Sequence, residues 1–272
     1  MSFNTTSLHR EEYLKKKRKQ KLVRFVWFAV IFIFFLSLVS YLSHRPSMRV
    51  ARLELSGGVL VREEEVAKAA RAFLSGSYVW LFPKNNIIWY PRVKLEKYLE
   101  EEFKRIDTID IYLKDVNTLV VDITERKPLA LWCEASPDDC YFLDSNGTIF
   151  AKAPYFSGDA YFRYYGLLEK EDVLGKQYLA STTEFISIST FIQSTRLLGF
   201  KPVSLSAKGG DEFVLHLSNG DILFDTKETL TIASQNLIAL LRTPALSGKS
   251  PAALPIEYID LRFGNKLFYK LK

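Results

Sequence analysis

The chain has 272 residues, of which 48% are hydrophobic, 25% charged and 14% aromatic, and its formal net charge is +6. That length and apolar content exclude a disordered polypeptide, and only two cysteines exclude a disulfide-dense secreted scaffold. The excess charge lies in residues 1–24, where eight basic residues face Glu11 and Glu12; the other 29 basic and 29 acidic residues balance, leaving no electrostatic footprint for nucleic acid.

Residues 25–43, "FVWFAVIFIFFLSLVSYLS", hold no charge over 19 positions. As a helix this run spans about 28 Å, close to the roughly 30 Å of a bilayer's hydrocarbon core. Trp27 and Tyr41 stand near its two ends, where amphipathic rings meet headgroups. A cleaved signal peptide has a shorter apolar stretch, of about 7–15 residues, and a small-residue cleavage site. The "SYLSHRP" that follows offers none, so a retained single-pass anchor is expected. The basic tail places residues 1–24 in the cytoplasm and the remainder outside, a type II topology. Its lysines and arginines also suit contact with anionic lipid heads.

From residue 48 to 125 the signals run strand, helix, helix, strand, strand. "VARLELSG" alternates Ala51, Leu53 and Leu55 to one face before Gly57 and Gly58. In "VREEEVAKAARAFL", Val66, Ala69, Ala70, Phe73 and Leu74 recur at helical spacing behind an acidic first turn. Pro91 suits the start of a second helix, striped by Leu95, Tyr98, Leu99 and Phe103. "DTIDIYLK" and "TLVVDITE" alternate around the turn "DVN". The aromatic-rich "YVWLFPKNNIIWYP" between the helices reads as a packed connection.

Residues 126–272 are strand-rich. "LALWC", "CYFLDSNGTIFA" and "DEFVLHLSNGDILFD" carry Asn-Gly pairs at Asn146-Gly147 and Asn219-Gly220, which suit type I′ hairpins. The first pair is also formally a glycosylation sequon, though it fits better as a turn. Helices are expected over residues 183–198, stopped by Gly199, and 226–242, capped by Asp225 or Thr226. The fold class is therefore α+β: a transmembrane helix, a βααββ unit, and a mostly antiparallel β domain with two helices.

Signs of catalysis are few. Of the two histidines beyond the anchor, His44 adjoins the membrane and His216 lies within a strand with no obvious nucleophile beside it. There is no G-x-S-x-G, H-E-x-x-H, Walker or G-x-G-x-x-G motif. "LSGKS" ends like a phosphate loop, but Thr243 stands where the first glycine belongs. Paired carboxylates of glycosidase type stay open from sequence alone. No catalytic, cofactor-binding or metal-ligating residues are assigned, and no enzyme activity is expected. Cys133 and Cys140 bracket "EASPDD" between two strands, as a disulfide or as two free thiols. Outside the cytoplasm the bridge is favoured, closing a short loop that stabilises by about 2–3 kcal/mol.

The order of basic tail, anchor, βααββ unit and β domain resembles the bacterial cell-division family FtsQ/DivIB. The local matches are "LELSGGVLVREEEV", "NTLVVDITERKPLALW", "LDSNGTIF" and "EYIDLRFGNKLFYK". The resemblance covers essentially the whole chain and likens residues 48–125 to a POTRA (polypeptide-transport-associated) domain. It implies a non-enzymatic scaffold of the divisome at the septum, helping to recruit or regulate septal wall synthesis. Its implied partners are small single-pass coiled-coil proteins of the FtsB and FtsL type, bound where a partner strand adds to the last strands. Other divisome proteins would meet the POTRA-like unit. The implied contact residues are Arg262, Phe263, Gly264, Asn265, Lys266, Leu267, Phe268, Tyr269 and Lys270. A POTRA-bearing factor of protein export or envelope assembly and an anchored cell-wall hydrolase are the alternatives.

The terminal pattern supports that implication independently. In "YIDLRFGNKLFYKLK", a two-residue turn at Gly264-Asn265 would set Phe263 opposite Lys266 and mix the faces. A three-residue loop over 264–266 pairs Phe263 with Leu267, Leu261 with Tyr269 and Ile259 with Leu271, giving one apolar face. Phe268 is then the single large apolar residue on the polar face.

Overall fold

The computed structural model describes residues 5–134, 139–158, 160–168, 172–227 and 230–272, with side chains from Tyr13 onward. The architecture is α+β, with five α-helices among the described residues. Two compact units emerge: residues 1–99 with 109–123, and residues 100–108 with 124–272.

The first unit opens with helix α1, Thr5–Ser43, whose stretch from Tyr13 is long and apolar enough to cross a membrane. Its apolar side chains are not covered by protein, unlike those of a core helix. Strand β1 (Arg52–Ser56) leads to α2 (Glu63–Leu74), which buries Val66, Ala67, Ala70 and Leu74. Two short strands, β2 (Ser77–Tyr78) and β3 (Phe82–Pro83), pair antiparallel inside the stretch read as a packed connection. Helix α3 (Arg92–Glu102) follows, and the Pro91 carbonyl accepts from the Leu95 N–H at 2.9 Å. Its Leu95 and Leu99 are fully buried, and Tyr98 stacks on Phe73 of α2 at 4.9 Å between ring centroids. Strand β4 (Ile106–Asp115) turns at residues 116–117 into β5 (Thr118–Glu125). The sheet order is β1-β5-β4, with β1 and β5 parallel.

The second unit is built on one sheet. Its strands are β6 (Ala130–Cys133), β7 (Cys140–Leu143), β8 (Ile149–Lys152) and β9 (Arg163–Tyr165), then helix α4 (Thr182–Leu197). After α4 come β10 (Pro202–Gly209), β11 (Glu212–Leu217), β12 (Asp221–Asp225), helix α5 (Leu230–Leu241), β13 (Ile256–Phe263) and β14 (Lys266–Leu271). The order is β14-β13-β12-β11-β10-β9-β6-β7-β8. This sheet is mixed: five of its eight pairings are antiparallel, as the hairpin signals suggest, but β9 runs parallel to both β6 and β10, and β12 runs parallel to β13. The helices are the reason. Parallel neighbours need a long crossover, and α4 and α5 supply two of them.

Ser181 caps α4, its side chain accepting from the Glu184 N–H, and Glu184 accepts in turn from Thr226 Oγ1 at 2.7 Å. Thr226 and Lys227 are not helical and α5 is described from Leu230; residues 228–229, on which the expected start of this helix falls, lie outside the described residues. The Asn146-Gly147 loop is also not type I′. Gly147 N–H donates to Asp144 O, Asp144 N–H donates to Thr148 O, and Gly147 has φ +81°, which makes a three-residue loop. Buried Asp144 organises it, one carboxylate oxygen accepting from the N–H groups of Asn146 and Thr148 and the other from Arg126.

Trp132, Tyr164, Tyr178, Phe185, Phe191, Phe200, Phe213 and Phe224 form the aromatic part of the main core cluster. Cys133 and Cys140 are disulfide-bonded across β6 and β7, in a smaller apolar cluster with Leu131 and Ala153. Gly220 permits a close approach: a Cβ there would lie 2.4 Å from the Ile256 carbonyl oxygen, so any side chain would push β13 off β12.

Candidate partner-binding edge

A nine-stranded open sheet has two margins, and the chain treats them differently. At β8 the chain's own backbone covers the start of the margin: Ile149 N–H donates to Lys176 O at 2.9 Å, and Gly175 N–H donates to Ile149 O at 2.6 Å. At the other margin lies β14, whose only neighbour among the described residues is β13. The Lys272 N–H donates to Pro255 O at 2.7 Å, toward β13. Main-chain groups alternate sides along a strand, so Lys270, Phe268 and Lys266 also face β13, while Leu267, Tyr269 and Leu271 turn outward. Among the described residues, no backbone bond beyond the β13 ladder reaches those three.

The hairpin itself departs from the expected register. Phe263 pairs with Lys266, leaving a two-residue loop at Gly264 and Asn265. Gly264 has φ +59° while Asn265 is not in the positive region, the pattern of a type II′ turn with glycine first. The pairs are Asp260 with Phe268, Ile259 with Tyr269, Tyr258 with Lys270 and Ile256 with Leu271. Irregularities between Ile256 and Tyr258 and between Asp260 and Phe263 each insert one extra residue into β13. These bulges resolve the mixing of faces, because the extra residues let Ile256, Ile259 and Leu261 all reach the core.

One consequence is that Phe263 leaves the apolar face. It is about half exposed, as is Phe268, and the two rings meet edge to face at 5.2 Å. On the core side Leu267 packs against the main cluster, whereas Tyr269 and Leu271 stay 41% and 37% exposed. The margin thus offers outward main-chain groups beside uncovered apolar side chains on both faces.

Charge surrounds this margin in an ordered way. Arg262 grips Asp260 through Nη2 to Oδ2 (2.7 Å) and Nε to Oδ1 (2.9 Å), and reaches Glu212 through Nη1 at 3.1 Å. Hydrogen bonding to Asp260 raises the Arg262 pKa. Burial pushes the Asp260 carboxyl up, but the side-chain and main-chain bonds from Arg262 and its charge hold it below the usual value. Lys270 bonds Glu257 at 2.9 Å, and that pairing raises its pKa. Asn236 on α5 donates to the Gly264 carbonyl at 2.7 Å and fixes the turn. Sequence reasoning missed Asn236, Glu257 and Glu212; only the Asp260-x-Arg262 spacing, which sets two residues on one strand face, was readable.

A second constellation lies across β10, β11 and β12. His216 Nδ1 is 2.8 Å from Asp221 Oδ1, and His216 Nε2 is 3.0 Å from Ser206 Oγ. The expectation that His216 has no nucleophile beside it is therefore corrected: register brings a serine from the neighbouring strand. Among the described residues, no group of His, Cys, Asp and Glu side chains is placed to hold a metal ion. Comparison of the sequence with protein-family models and with curated proteins finds no match.

Proposed function

We propose that the chain is a membrane-anchored, non-enzymatic scaffold of the cell-division complex, of the FtsQ/DivIB type, that captures a partner strand on β14. The observation that carries this reading is the asymmetry of the large sheet: one margin met at Ile149 by the chain's own backbone, the other without a further strand among the described residues and flanked by Phe263, Phe268, Tyr269 and Leu271. Bare margins invite pairing with another chain, and proteins normally blunt them. An added strand gains main-chain hydrogen bonds, and alternate side chains supply specificity.

The other parts agree with this role. Helix α1 serves as the retained anchor, and the basic tail sets its N-terminus in the cytoplasm of a septal membrane. The order β1-α2-β2-β3-α3-β4-β5, a βααββ path with a short hairpin between its helices, supports a POTRA-like reading of the first unit, which would meet other divisome proteins. The bound partners are single-pass coiled-coil proteins of the FtsB and FtsL type.

One observation favours a second reading, a serine hydrolase: the Ser206–His216–Asp221 chain has the connectivity of an activated nucleophile. Against it stands the backbone around Ser206. Strand β10 is paired over Ser204–Ser206 to β9 and along most of its length to β11, so Ser206 sits within two ladders and not on an open turn whose N–H groups face a developing oxyanion.

The proline variant Tyr269→Pro tests the scaffold reading. It removes an outward N–H and spares the ladder to β13, so capture of FtsB-type proteins from membranes should fail while the protein stays folded. Capture undiminished by a folded Tyr269→Pro chain contradicts the reading.

A further inference from the structure

We infer that the turn between β2 and β3 is a second membrane contact, a wedge that sits in the lipid headgroup layer beside α1. The inference rests on α1 being a membrane span and is independent of the divisome reading.

The turn's composition is the first observation. Leu81 N–H donates to Tyr78 O at 3.0 Å, closing a four-residue turn around Val79 and Trp80, with φ +47° and +60°. Two positive φ values define a turn that asparagine and glycine fill with little strain. A β-branched residue at positive φ is a genuine outlier. The chain nonetheless places valine and tryptophan there, and leaves them 77% and 92% exposed. Their identity therefore serves neither turn formation nor the protein's own core. Strained positions of this kind cluster where a segment has a task.

Its position is the second observation. Asn86 is buried, and its Nδ2 donates to both the carbonyl and the hydroxyl of Ser43, the last residue of α1. Further back along the chain, Leu81 O accepts from Ser40 Oγ at 2.8 Å. From residue 86 to 81 the chain thus moves from the level of Ser43 to that of Ser40, about 4.5 Å down the helix toward its uncharged middle. Val79 and Trp80 are the next residues in that direction. An apolar seam of Val39, Tyr78, Phe82 and Trp89 lines the space between helix and hairpin. The hairpin is therefore held by hydrogen bonds to the end of the span, with its bare apolar tip at the depth where the uncharged run ends.

The surrounding chemistry matches a headgroup layer. Arg45 folds back onto Tyr41, its guanidinium 5.0 Å from the ring centroid and its Nη2 3.1 Å from the hydroxyl, as long cationic side chains do when they reach for the interface. Tryptophan prefers that same layer. Solvent-exposed apolar tips of this kind mark membrane or protein contact, and continuity with α1 selects the lipid.

The experiment uses the full chain in vesicles of neutral and anionic phospholipid, with tryptophan emission quenched by nitroxide lipids labelled at the headgroup or along the acyl chain. Trp27→Phe with Trp89→Phe leaves Trp80 reporting over buried Trp132, and a chain with Trp80→Phe added supplies the background. The expected result is blue-shifted Trp80 emission, quenched by headgroup-proximal nitroxides and shielded from aqueous iodide. Iodide access with no quenching by any labelled lipid overturns the proposal, as does shielding that arises only when another protein is added. A chain keeping Trp27 and losing Trp80 and Trp89 separates the two readings: Trp27 quenched by the labelled lipids while Trp80 stays in water leaves the anchor standing and the wedge refuted.

Discussion

Asn236 on α5 donates to the main-chain carbonyl of Gly264 at 2.7 Å, so the crossover helix holds the turn that presents the terminal strand. Helix α5 joins β12 to β13, and the same element that makes those strands parallel neighbours also restrains the hairpin beyond them. Removing the amide with Asn236→Ala is expected to destabilise the second unit by about 1 kcal/mol. Equilibrium urea unfolding of the purified chain measures it, and faster amide exchange at residues 264–266 locates the loss.

The turn assignment has its own signature. Gly264 is the residue in the left-handed region, so Gly264→Ala is expected to cost about 1–2 kcal/mol. Asn265 is not in that region, and Asn265→Ala should stay within about 0.5 kcal/mol. Comparable losses at both positions in urea titrations would point to a type I′ turn and a different register.

This turn shows why part of the molecule was legible and part was not. The alternating pattern of the last 15 residues marks two strands and a loop, and the structure has both strands. The register was missed because face-matching assumes straight strands. Bulges in β13 supply the extra residues that the pattern alone would assign to a longer loop. The three parallel pairings within the sheet were missed for a related reason: α4 and α5 were legible as helices from their periodicity, but which strands they connect as parallel neighbours is a tertiary matter. Ser206 came to His216 through cross-strand pairing ten residues apart, which no local motif encodes. By contrast, the long apolar helix needed only its own composition.

The Asp260–Arg262 pair makes the hairpin sensitive to acid. The Asp260 carboxyl titrates below its usual value because the bonds and charge from Arg262 outweigh burial. A carboxylate whose folded pKa lies below its unfolded value contributes stability above the unfolded pKa and loses it as pH falls through the folded pKa. The contribution is therefore intact at neutral pH and declines below about pH 4. Asp260→Asn should lower the urea midpoint at pH 7 and flatten its fall on the acid side. A variant that keeps the wild-type acid slope would assign that slope to other carboxylates.

If the Ser206–His216–Asp221 chain is structural, Ser206 does not react as a nucleophile. A fluorophosphonate probe incubated with the full chain should leave Ser206 unlabelled at neutral pH, as read by peptide mass spectrometry. Labelling that disappears in His216→Ala would establish an activated serine and favour the hydrolase reading.

The most direct measurement is residue-resolved amide exchange along β14, with the chain alone and with a captured FtsB-type protein. Alone, the outward amides of Leu267, Tyr269 and Leu271 should exchange faster than those of Phe268 and Lys270, which face β13. On capture the three outward amides should slow markedly while the inward pair changes little. Stable capture with Leu267, Tyr269 and Leu271 still exchanging at their free rates would mean that the partner binds elsewhere.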